Sequence, residues 1–186
     1  FGGQYNQLIA RRVRECNVYC EVVPYKKAMQ RIREVNPQGI IFTGGPNSVY
    51  DPHSPQIDPE VFSMGIPILG ICYGCQLIAH NLGGRVTAAT DSSAREYGKT
   101  ETYFDTNCRL FRGLPEKSVT WMSHGDYMEK VPDGFRLAAH SDACPTVAIC
   151  DEARGLYGVQ FHPEKSSATG LRILTNYVDI VRGGAR

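Results

Sequence analysis

Residues 66–80, IPILGICYGCQLIAH, constrain what this chain can fold into more than any other stretch. Residues 66–71 are a short, almost wholly apolar run. Such runs suit a strand buried on both faces of a parallel sheet. Residues 76–81 read as a helix, and Gly83-Gly84 closes it at its C-terminal end. Between strand and helix stands Cys72, flanked by Gly70 and Gly74 in the form G-x-C-x-G. A side chain on so sharp a turn stands clear of its neighbours. Glycines two residues to either side avoid conflict where the backbone crowds, the elbow logic of serine hydrolases with sulfur in place of oxygen. The thiol also falls at a helix N-terminus, where the positive end of the dipole favours thiolate. The bland alternative is a buried cysteine in a core turn.

The surroundings predict an α/β fold. Residues 7–15 and 26–35 carry helical periodicity, the second stopped by Asn36-Pro37, and residues 18–23 read as a short strand. Residues 39–43, GIIFT, are a second buried strand ending in Gly44-Gly45-Pro46. Residues 59–64 form a short helix. From 85 to 148 the runs become short and β-like: 99–104, 118–123, 135–140 and 146–150. Residues 155–161, GLYGVQF, give another strand, and 170–181 a closing amphipathic helix. The pattern implies one domain over 1–186: an open, mostly parallel sheet flanked by helices, with an antiparallel β extension. In such sheets ligands bind at the carboxyl ends of the strands. Gly44-Gly45, Cys72, and His162 with Glu164 all fall there.

Composition narrows the partners. A net charge of +1 gives no electrostatic reason for nucleic acid or an anionic membrane to be the main partner. No apolar run approaches the roughly 18–20 residues that span a bilayer. The seven cysteines are odd in number and irregular in spacing, which points to thiols in a reducing cytoplasm rather than a disulfide framework. Cys72, Cys75 and His80 could ligate zinc. No second pair stands at matching spacing, so no metal site is assigned. Cys72-x-x-Cys75 also has dithiol redox spacing, with Cys75 as resolving thiol. That reading leaves His162 and Glu164 without a task.

A thiol nucleophile needs a base, and the base needs an orienting group. His162-Pro163-Glu164 supplies both. Two residues apart on extended backbone, the imidazole and carboxylate leave the same face, and Pro163 stiffens the link. Taken alone, His162 would more often be a packed surface histidine. Gly44-Gly45-Pro46 would present backbone N–H groups near the thiol, suited to an oxyanion. The cluster 121–126, WMSHGD, could read the α-amino and α-carboxylate groups of an amino acid. His124 and Asp126 alone are too few to argue a metal.

At these residues the sequence resembles the class I, or triad-type, glutamine amidotransferases. The pattern G-[IV]-C-x-G-x-Q appears at 70–76 and Y-G-V-Q-F-H-P-E at 157–164. The resemblance implies a flavodoxin-like α/β fold and hydrolysis of glutamine to glutamate and ammonia through a cysteine thioester. It carries the nucleophile to Cys72, the base to His162 and the orienting carboxylate to Glu164. It carries the oxyanion hole to the backbone of Gly45 and Tyr73, and glutamine binding to Gln76, Ser123, His124 and Gly125. The opening FGGQYNQLIARR, the run FTGGPNSVY at 42–50 and WMSHGD are similar to the amidotransferase domain of GMP synthases. That similarity implies ammonia passed to an ATP pyrophosphatase (synthetase) domain or subunit, which uses ATP and Mg2+ to aminate XMP to GMP. The glutaminase step itself needs no cofactor. Two departures stand out. The family's apolar first strand, expected before Phe1, is absent. The stretch after Glu164, Lys165-Ser166-Ser167-Ala168-Thr169-Gly170-Leu171, is more like the glutaminase subunit of imidazole glycerol phosphate synthase.

Overall fold

The computed structural model describes residues 1–3, 5–45, 47–88, 96–124 and 126–183, with backbone alone at 96, 97, 123 and 124. Nine strands and four α-helices occur among them. The strands are β1 (Ile40–Phe42), β2 (Ile68–Ile71), β3 (Arg85–Ala88), β4 (Glu96–Phe104), β5 (Lys117–His124), β6 (Asp126–Lys130), β7 (Arg136–His140), β8 (Ala148–Asp151) and β9 (Leu156–Val159). The helices are α1 (Asn6–Arg14), α2 (Ala28–Val35), α3 (Tyr73–Asn81) and α4 (Ser167–Val181).

Seven strands form one sheet in the order β1-β2-β9-β8-β7-β4-β5. β1, β2 and β9 run parallel, and the remaining four pairings are antiparallel. The α/β architecture with its antiparallel extension is as expected, and the extension is the larger part of the sheet. β3 and β6 pair separately as an antiparallel ribbon. Neither was evident as a strand, because what defines them is a partner some 40 residues away in sequence.

The alternation of the central strands builds two cores. Leu69 and Ile71 of β2 and Tyr157 and Val159 of β9 face one way, against Ile9 and Val13 of α1 and Ile173, Leu174 and Tyr177 of α4. Ile68 and Leu156 face the other way, with Phe42, against Ile32 of α2 and Leu77 and Ile78 of α3. A strand buried on both sides must be apolar at consecutive positions, which is why residues 68–71 lack polar alternation.

Residues 18–23 correct the reading made from sequence. Val18 and Cys20 are partly buried against the first core while Tyr19 is 88% exposed, so a strand-like alternation exists. The backbone nevertheless joins no ladder among the described residues. β-propensity expresses itself only against a neighbouring strand.

Candidate active site

The elbow forms as the glycine pattern requires. Cys72 has φ 55° and ψ −108°, a strained conformation for a residue with a side chain, costing about 1–3 kcal/mol. Its N–H extends the β2–β9 ladder to the Val159 carbonyl at 2.7 Å, and its carbonyl accepts the first helical bond from Gln76 N at 3.1 Å. Cys72 is thus both the end of the strand and the N-cap of α3. A Cβ at Gly70 would lie 2.6 Å from the Gly74 carbonyl oxygen, and one at Gly74 would lie 2.3 Å from that of Phe42. Strand and helix can approach this closely only without those side chains.

His162 reaches the same place from β9. Its Nδ1 lies 2.8 Å from Glu164 Oε1, and it hydrogen-bonds the Cys72 side chain. With Nδ1 engaged by the carboxylate, Nε2 is the nitrogen left for sulfur. The Glu164 side chain is 0% exposed. Backbone geometry at the pair differs from expectation: Pro163–Lys165 is a turn of 3-10 helix, with His162 as its extended N-cap. Proline suits the first position of such a turn because its φ is already fixed there. The carboxylate meets the imidazole across this turn rather than from the shared face of a strand.

Burial opposes charge on His162, but its hydrogen bonds and attraction to Cys72 and Glu164 outweigh that and push its pKa up to about 9. Cys75 differs. It is completely buried, burial pushes its thiol well above the ordinary range, and its Sγ would lie 2.7 Å from a Cβ at Gly158. It fills the space between α3 and β9, which leaves the dithiol redox reading without an accessible resolving thiol.

The other predicted residues fall unevenly. Gly45 sits beside Phe1, whose carbonyl oxygen would be 2.3 Å from an added Cβ. Tyr73 opens α3, where backbone N–H groups have no helical partner, and its hydroxyl donates to the Pro55 carbonyl. Gln76 is buried and donates to Gln160 Oε1 at 3.3 Å. Ser123 and His124 end β5, but their side chains lie outside the described residues, as does Gly125 altogether. Asp126 accepts hydrogen bonds from Ser48 (2.7 Å) and Tyr50 (3.0 Å), tying the loop after Gly45 to β6. Gly44, placed by sequence in the turn beside the thiol, lies close to it: a Cβ there would sit 3.5 Å from His162 Cε1 and 3.7 Å from Cys72 Cβ. The double glycine was the available signal. Among the described residues no group of three or more metal-binding side chains gathers, and no helix is long and apolar enough to cross a membrane.

A strained cysteine between strand and helix, bonded to a histidine that a buried carboxylate holds, is an arrangement for nucleophilic attack on a carbonyl. Residues 1–180 match the family model for class-I glutamine amidotransferases, and the chain belongs to that family. More particularly, it is 54% identical to a GMP synthase [glutamine-hydrolyzing] of Clostridium perfringens, over 96% of this chain and 35% of the relative. It is 54% identical to the enzyme of the same name from Caldicellulosiruptor saccharolyticus, over 96% of this chain and 34% of the relative. The chain therefore spans about a third of the length of these curated relatives. A solved structure from Thermoplasma acidophilum, provisionally assigned as a GMP synthase subunit, superposes with TM-score 0.82 at 30% identity, covering 98% of this chain and 90% of that one. A Thermotoga maritima glutamine amidotransferase shares the fold with TM-score 0.59 at 21% identity, over 88% and 82% of the two chains. These relatives favour the resemblance at the front of the chain over the one to imidazole glycerol phosphate synthase after Glu164.

Proposed function

We propose that residues 1–186 act as a glutaminase domain and that Cys72, His162 and Glu164 are its catalytic residues. The 2.8 Å contact of His162 with Glu164, on an imidazole that also bonds Cys72, carries the reading. Cys72 thiolate attacks the side-chain carbonyl of glutamine. The oxyanion is held by the backbone N–H groups of Gly45 and Tyr73. His162 protonates departing ammonia, leaving a glutamyl thioester, and then takes a proton from the water that releases glutamate. Gln76, Ser123, His124 and Gly125 bind the substrate.

The GMP synthase relatives support transfer of the ammonia to a synthetase domain or subunit, with ATP and Mg2+ used there to convert XMP to GMP. The glutaminase step draws on no cofactor. The seven thiols suit a cytoplasmic setting. Replacing Cys72 by alanine abolishes glutamate release from glutamine, while Cys75→Ala retains most of it. Equal loss from both would overturn this assignment in favour of paired thiols.

A further inference from the structure

His162 follows a strand in the middle of the sheet, yet its backbone is fixed by the strand at the far edge. The sheet curls until β5 returns to the carboxyl end of β9, where His162 N–H donates to the Trp121 carbonyl at 2.8 Å. The other half of this pairing runs through a side chain. Trp121 N–H donates to Ser166 Oγ at 3.0 Å, and Ser166 Oγ–H donates to the His162 carbonyl at 2.6 Å. Both main-chain groups of Trp121 and both of His162 are thereby tied, like an antiparallel pair with one hydroxyl inserted. Ser166 is buried.

The turn is held from further sides. Ser166 N–H donates to the Pro163 carbonyl at 3.1 Å, and Lys165 Nζ lies 4.1 Å from the ring centre of Tyr5 and 4.4 Å from that of Trp121. A Cβ at Gly170 would fall 1.7 Å from the Pro163 carbonyl oxygen, so α4 presses directly on the turn.

Accepting the catalytic reading above, we propose that Ser166 is a positioning residue for His162. Its hydroxyl sets where the imidazole stands relative to Cys72 by locking the histidine backbone to β5. A misplacement on the ångström scale costs up to about a hundred-fold in rate, and the Ser166 hydroxyl acts on the backbones of Trp121 and His162. Removing the hydroxyl frees the turn to shift and leaves Trp121 N–H without its acceptor.

The test uses the whole chain and two readouts: steady-state glutamate release, and the pH dependence of Cys72 alkylation by iodoacetamide, followed by mass spectrometry of the Cys72 peptide. Ser166→Ala should lower kcat about ten-fold or more with KM within about two-fold. It should also slow alkylation at neutral pH about three-fold or more, because the imidazole no longer stands where it can take the proton of the thiol. Ser166→Thr, which keeps the hydroxyl, should restore both to within about three-fold. If Ser166→Ala does not fold, Ser166→Cys takes its place, with a weaker donor at similar volume. Unchanged kcat and alkylation in the hydroxyl-free variant would overturn the proposal, and so would equal losses in Ser166→Thr. Alkylation reads the proposal even where turnover is slow. Glutamine hydrolysis persisting in a parallel Cys72→Ala sample would overturn the catalytic reading instead.

Discussion

Replacing Glu164 by glutamine isolates what the buried carboxylate does for His162. The side chain has no access to solvent and sits 2.8 Å from Nδ1, so the substitution changes charge with little change in shape. A hydrogen bond to a charged partner contributes about 1.5–3 kcal/mol and a neutral one about 0.5–1.5. The difference, about 1–1.5 kcal/mol, corresponds to roughly one pKa unit. The His162 midpoint, pushed up to about 9 in the parent, should therefore fall by about one unit. The same energy lost in the transition state lowers kcat/KM about ten-fold. The loss grows toward about 10⁴-fold if the amide turns its NH2 to Nδ1 and selects the wrong tautomer. Histidine-ring NMR titration reads the first effect and glutamate release the second. A midpoint unmoved within about 0.3 units together with kcat/KM within about two-fold would show that the Glu164 charge does not act on His162.

Three further outcomes follow from the same geometry. Because the His162 pKa is raised in the folded protein, its contribution to stability is fully present below about 6.5 and is lost as pH rises through about 9. That contribution is of the order of 3 kcal/mol, and urea unfolding at the two ends of the window should show it. Gly74→Ala should abolish hydrolysis and lower the thermal midpoint, since its Cβ would fall 2.3 Å from the Phe42 carbonyl oxygen; a folded, active variant would contradict the close packing of elbow against β1. Tyr177→Phe should cost about 1–3 kcal/mol in denaturant unfolding with little effect on hydrolysis. Its buried hydroxyl accepts from Ile40 N–H and shares its proton between the carbonyls of Ile40 and Pro67, at the end of β1 and β2 remote from Cys72.

The parts of this molecule legible in its sequence are those encoded locally. β2, Cys72 and α3 lie in one continuous segment, where apolar runs and paired glycines admit few backbone paths. α4 announced itself by period. Residues 18–23 had the composition of a strand but join no ladder among the described residues, and pairing is not written in the segment itself. The β3–β6 ribbon was missed for the converse reason, since its register is set by residues distant in sequence. At the site, His162 and Glu164 were found by residue type and spacing, although a 3-10 turn rather than extended backbone brings them together. Ser166 went unassigned because contact across the fold, not spacing, gives it its place.

In the proposed mechanism Cys72 sulfur forms the covalent bond to substrate. Acid quenching of the protein during turnover with glutamine, then mass spectrometry of its peptides, tests this most directly. An adduct of glutamine less ammonia is expected on the peptide bearing Cys72, localised by fragmentation to that sulfur, accumulating in Glu164→Gln if thioester hydrolysis is slowed and absent in Cys72→Ala. An adduct on Cys75, or glutamate released at the parent rate by Cys72→Ala, would contradict it.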